Sequence, residues 1–115
     1  MLGIFDSHAH YDDSRFDEDR EELLTKMAEA GVTYIVNVSA DMESVIGNRE
    51  IVKKYPFIYG SAGVHPEDAD KLTDADMDII REAAGDEKIV AIGEIGLDYH
   101  YPEPERFIQK EWFIK

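Results

Sequence analysis

The chain has 115 residues, a formal net charge of -14, an apolar share of 43% and no cysteine. That is about one domain's length with a modest core, and it excludes a disulfide framework and a thiolate nucleophile or ligand. The acidity opposes broad, non-specific binding to phosphate backbones, which depends on clustered Lys and Arg.

Residues 2–7 read as a first strand. Asp17, Glu18 and Asp19 then place negative charge where a helix N-terminus favours it. Leu23, Leu24, Met27 and Ala28 follow at helical spacing, with Gly31 as a natural residue just past the end. Residues 32–38, VTYIVNV, form a second strand rich in β-branched side chains. A second helix over 41–55 puts Val45, Val52 and Tyr55 on one face despite Gly47. Residues 57–64 form a third strand. Thr73 and Asp76 have capping-box spacing, with Leu72 and Met77 in staple register, so a third helix starts there and runs to Gly85. Residues 88–95, KIVAIGEI, are apolar on both faces up to Glu94, as a buried parallel strand should be. A fourth helix begins near Glu103 and carries Phe107, Ile108 and Trp112.

Strands alternating strictly with helices predict an α/β fold with a parallel sheet, residues 1–115 forming a single domain. No basic n-region followed by an apolar stretch opens the chain, and no apolar run nears the ~20 residues of a bilayer span. The expectation is a soluble, cytoplasmic protein without a membrane partner. A cysteine-free chain fits a reducing compartment.

All four histidines fall at or beyond the C-terminal end of an expected strand, the edge where parallel α/β folds build their sites. Residues i and i+2 of a strand share a face, so Asp6, His8 and His10 should line up on one side. His65 follows the third strand in GVHPED; Glu94 ends the fourth, with Asp98 and His100 beyond it. Imidazole and carboxylate together suit Zn, Mn, Fe or Ni, and Mg where carboxylates dominate. His8, His10 and a glutamate from another strand could hold a divalent cation, which would lower the pKa of water and polarise a phosphoryl or carbonyl oxygen.

The plainer readings compete. H-x-H pairs occur by chance, His65 before Pro66 could cap a turn, and Glu94 could belong to a structural ion pair. His100 with Tyr99 and Tyr101 reads as loop packing. GEIG is not followed directly by a helix, so it makes no phosphate loop, and GSAG lacks the spacing of a nucleophile elbow.

The stretches FDSHAHYDD, FDEDREELL, AGVTYIVNVS, GVHPEDA and VAIGEIGLDYHYPEP with ERFIQKEWF resemble, in this order, the TatD family of metal-dependent deoxyribonucleases, within the amidohydrolase-like metallohydrolases. The resemblance implies a TIM (β/α)8 barrel with up to two divalent cations (Mg, Mn, Zn or similar) acting on phosphodiesters, with DNA or another phosphoester as substrate. His8 and His10 match its first-strand metal ligands and Glu94 a ligating, bridging carboxylate. His65 matches a histidine near the substrate phosphate. Asp98 matches a motif position without an assigned role and stands beside His65 as a catalytic or substrate-binding candidate.

Members of that family run to roughly twice this length, so the chain reads as the N-terminal half of the barrel, interrupted in its fourth helix and inactive by itself. Two rival readings remain: a related metallohydrolase of a small amide, lactone or phosphoester, and a non-catalytic half-barrel that binds metal weakly. An open sheet with two free edges and a bare inner face predicts a homodimer of half-barrels or a higher oligomer.

Overall fold

The computed structural model describes residues 3–115, so Leu2 of the expected first strand lies outside the described residues. The elements alternate as expected: β1 (Ile4–Ala9), α1 (Arg20–Glu29), β2 (Val32–Asn37), α2 (Met42–Lys54), β3 (Ile58–Ala62), α3 (Asp74–Ala83), β4 (Ile89–Ile92) and α4 (Arg106–Ile114). Two short 3-10 turns, Ser14–Phe16 and Pro66–Lys71, follow β1 and β3. All neighbouring strands are parallel, in the spatial order β1-β2-β3-β4. The helices α1, α2 and α3 therefore each cross back over the sheet between adjacent strands, which sends every strand's C-terminal end to one edge.

The local signals act through identifiable bonds. Thr73 and Asp76 form the reciprocal capping box of α3. Asp41 caps α2 by accepting from the Ser44 N–H at 2.8 Å. Gly31 ends α1 at φ +100°, a conformation an L side chain rarely adopts. Asp19 is the N-cap of α1, with Asp17 and Glu18 just ahead of it and Glu21 and Glu22 in its first turn. Arg20, its first residue, donates to the carbonyls of Tyr11, Asp12 and Asp13 and to the Asp17 carboxylate, tying the loop after β1 into place.

The core lies between the sheet and its helices. Leu24, Ile35, Val45, Val52, Ile58, Ile80 and Ile89 are buried there, each of the larger ones contributing ~1.5–3 kcal/mol relative to an exposed position. Lys88 enters beneath the sheet and donates to the Val52 and Tyr55 carbonyls at the end of α2, where a cation meets otherwise unpaired groups. Burial pushes its ammonium pKa down.

The opposite face of the sheet is open. Phe5, Tyr34 and Tyr59 form an aromatic row across β1, β2 and β3, with centroids 6.3 and 6.1 Å apart, and Phe5 is 59% exposed. β4 departs from the expectation of a strand covered on both faces: Ile89 is buried, but Val90 and Ile92 are 55% and 52% exposed. The reason is position, since β4 is an edge strand with helices on one side only. Among the described residues no helix is long and apolar enough to cross a membrane.

Candidate metal centre

β1 delivers His8 from its last turn of strand and His10 from the residue just beyond it. Their Nε2 atoms face each other at 3.1 Å with the rings close to perpendicular. Glu94 reaches the pair from the segment after β4, with one carboxylate oxygen 3.8 Å from His8 Nε2 and the other 3.9 Å from His10 Nε2. One ligand atom from each residue lies within 4.8 Å of the others. The site is open to solvent on one side: the side chains of His8, His10 and Glu94 are 53%, 40% and 27% exposed.

The protonation of His10 follows from its partner. Its Nδ1 lies 2.9 Å from the Val38 carbonyl oxygen, which can only accept, so Nδ1 carries the proton and Nε2 presents a lone pair. A ring N–H on a backbone carbonyl is the usual support of a metal-binding histidine. Two nitrogens about 2.0–2.1 Å from one ion stand roughly 2.8–3.4 Å apart, between octahedral and tetrahedral angles. The histidine pair fits that spacing, and Glu94 would close by about half an ångström to join it. Two imidazoles and a carboxylate are therefore a donor set that fits a divalent cation.

The segment bearing Glu94 sits where it does because the ends of β2, β3 and β4 approach closely. The Glu94 N–H donates to the Ser39 carbonyl at 2.6 Å and the Gly93 N–H to the Ala62 carbonyl at 3.0 Å. A Cβ at Gly63 would stand 2.6 Å from the Glu94 carbonyl oxygen, so only glycine admits this contact. Beneath lies a buried polar network. Asn37 accepts from the Tyr11 N–H and donates to Asp12 and Asn48; Asn48 donates to the Asn37 carbonyl and to Ser39 Oγ. Ser39 and Ser61 exchange two bonds, and Ser61 Oγ donates to the Gly93 carbonyl at 2.6 Å. Asn37, Ser39, Asn48 and Ser61 are all essentially inaccessible, which polar groups tolerate only when paired.

Asp6 is not among the residues brought together. The register of β1 on β2 shifts between Asp6 and Ala9, which breaks the strict alternation that would align it with His8; its carboxylate instead accepts from the His8 N–H at 3.2 Å. His65 caps the turn Pro66–Lys71, its Nδ1 accepting from the Glu67 N–H at 3.1 Å. It lies outside the histidine–glutamate cluster. Asp98 accepts from the His100 N–H at 3.0 Å and also lies outside the cluster. His100 packs edge-on against Tyr101, while Tyr99 carries the Arg106 guanidinium over its ring.

Two groups flanking the site have shifted pKa values. Hydrogen bonds from Arg15 hold the Asp13 carboxyl at about 2, and burial, with Asp6's charge second, pushes the Tyr11 phenol up.

Sequence reasoning missed the buried network and Gln109. The Gln109 amide pairs both the N–H and the carbonyl of Asp98 and donates to the Pro104 carbonyl, pinning the loop after Glu94 to α4. The available signal was a polar residue inside an apolar pattern: Asn37 in YIVNV and Gln109 between Ile108 and Trp112.

Comparison with known proteins gives a consistent result. Residues 5–115 match a family model described as TatD related DNase. The uncharacterized metal-dependent hydrolase YabD of Bacillus subtilis is 41% identical over 110 residues, covering 96% of this chain and 43% of that protein. The 3'-5' ssDNA/RNA exonuclease TatD of Dickeya dadantii is 37% identical over 98 residues, covering 84% of this chain and 37% of that protein. The crystal structure of YjjV, a TatD homologue from Escherichia coli K12, superposes with a TM-score of 0.85 at 30% identity, covering 98% of this chain and 44% of that one. A TatD family hydrolase from Entamoeba histolytica shares the fold, with a TM-score of 0.87 at 23% identity. The chain thus spans less than half the length of these relatives, and its four parallel βα units correspond to half of a TIM barrel.

Proposed function

The chain belongs to the TatD related DNase family, and on that premise we propose that it is a divalent-metal-dependent hydrolase, a deoxyribonuclease whose cation is held by His8, His10 and Glu94. The observation that carries this reading is the facing Nε2 pair at 3.1 Å, with the His10 lone pair fixed by the bond to Val38 and a carboxylate within 4 Å of both rings. When bound, the cation (Mg, Mn, Zn or similar) supplies Lewis acidity toward water and toward a phosphoryl oxygen. The protein's part is to hold three donors in place at an open edge of the sheet. His65, whose Nδ1 accepts a backbone N–H, carries its proton on Nε2 and is suited to donate to a substrate phosphate. Asp98 serves through the loop it organises with Gln109.

In this reading the 115 residues form one α/β domain, the N-terminal half of the barrel, in the cytoplasm. Three protein donors can hold one cation, whereas a two-metal site needs more ligands. The chain by itself should bind one cation weakly and lack nuclease turnover. Titration with Mn2+ or Zn2+ tests this: one weak site, abolished by His8→Ala or His10→Ala, is expected. Tight two-ion binding, or turnover of DNA by contaminant-free protein, would contradict it.

A second reading is favoured by the net charge of -14, which repels a polyanion: hydrolysis of a small amide, lactone or phosphoester at the same site. Assaying a version of the chain extended to the full family length on single-stranded DNA against small esters separates the two. A third is a non-catalytic half-barrel. The open aromatic face and the unpaired edges of β1 and β4 support self-association of the 115-residue chain as a homodimer.

A further inference from the structure

The peptide group that carries Glu94 is gripped at both ends. Its carbonyl, on Gly93, accepts from Ser61 Oγ at 2.6 Å; its N–H, on Glu94, donates to the Ser39 carbonyl at 2.6 Å. The two serines are themselves locked together. The Ser39 N–H donates to Ser61 Oγ at 3.1 Å, Ser39 Oγ donates to the Ser61 carbonyl at 2.7 Å, and the Asn48 amide donates to Ser39 Oγ at 2.7 Å. Ser61 is 2% exposed and Ser39 fully buried, so water cannot replace either bond. A hydroxyl is required at residue 61 because one atom must accept from Ser39 and donate to Gly93 at the same time.

Among the described residues no hydrogen bond fixes the Glu94 carboxylate, which stands 3.8 and 3.9 Å from the histidine nitrogens. Its position therefore depends on the backbone behind it. We propose that Ser61, acting through the Gly93 carbonyl and supported by Ser39, is the positioning residue that sets the Glu94 carboxylate against His8 and His10. The proposal rests on the metal-binding reading above and adds a residue that touches neither metal nor substrate. Losing such a support typically costs 10–100-fold in metal affinity.

The test compares wild type, Ser61→Ala, Ser61→Cys (similar volume, weaker donor) and Val52→Ala, a core truncation placed as a stability control. Two readouts are taken on folded protein: Mn2+ affinity by calorimetry, and amide hydrogen exchange at Glu94 by NMR. Ser61→Ala should weaken Mn2+ binding at least tenfold and speed exchange at Glu94 at least tenfold relative to Ile35 in β2. Ser61→Cys should fall between, and Val52→Ala should change neither ratio. A wild type that binds no Mn2+ overturns the metal reading, and the exchange ratio then decides the positioning claim alone. Ser61→Ala with wild-type exchange at Glu94, or with affinity loss no greater than that of Val52→Ala, overturns the proposal.

Discussion

Replacing Gly63 by alanine disturbs the candidate carboxylate without touching a candidate ligand. The new Cβ would meet the Glu94 carbonyl oxygen and the Gly93 carbonyl carbon at 2.6 Å and the Gly93 oxygen at 2.8 Å. Non-bonded carbon contacts settle near about 3.5 Å, so the segment after β4 must retreat by roughly 0.7–0.9 Å. These atoms are backbone and cannot swing aside. The Glu94 oxygens stand 3.8 and 3.9 Å from the imidazole nitrogens, about half an ångström beyond the spacing of ligands on one ion, so the retreat would at least double the gap. A 10–100-fold loss of metal affinity follows, or ~1.4–2.7 kcal/mol. Overpacking adds ~1–3 kcal/mol of destabilisation, which a domain of ordinary stability survives. Mn2+ calorimetry and thermal melting by circular dichroism read the two effects. Gly47→Ala is the matched control: its Cβ would meet nothing closer than Asp12 Cβ at 3.7 Å, and alanine inside α2 should stabilise by ~0.5–1 kcal/mol with affinity unchanged. Gly63→Ala with wild-type melting and wild-type affinity would refute the reasoning.

Asn48→Ala removes an amide that donates to the Asn37 carbonyl and to Ser39 Oγ, leaving buried partners unpaired. Urea unfolding should show a loss of about 3 kcal/mol, and a loss below ~1 kcal/mol would contradict the role given to the network. The hydrogen bonds from Arg49 hold the Asp86 carboxyl below the usual carboxylate range. Its folded pKa lies below its unfolded one, so it contributes stability above the unfolded value that is lost as pH falls through the folded value. Asp86→Asn should cost ~1 kcal/mol at neutral pH, with the difference in melting temperature from wild type shrinking below about pH 4. A difference that stays constant from pH 7 to 3 would show that the pair does not act through charge. Light scattering of the 115-residue chain at micromolar concentration should give twice its 13.1 kDa mass; a cooperatively melting monomer would rule out the dimer.

Whatever short-range physics controls was legible in the residues alone. Alternation of β-branched runs with helical spacing was enough for four parallel βα units. Thr73 with Asp76 announced α3, and H-x-H at a strand end marked the candidate site. These signals work because strand and helix periods and capping bonds span only a few residues. Which residues meet depends on how the elements pack. The register shift in β1 removed Asp6 from the histidine pair. The close approach over Gly63 carried Glu94 to His8 and His10. Asn37, Asn48, Ser39, Ser61 and Gln109 had no readable role until the strand ends and α4 enclosed them, because a buried polar side chain is defined by its partners and those lie on other elements. Coverage of β4 shows the same limit. Its composition is that of a strand with two buried faces, while its neighbours in this chain cover one.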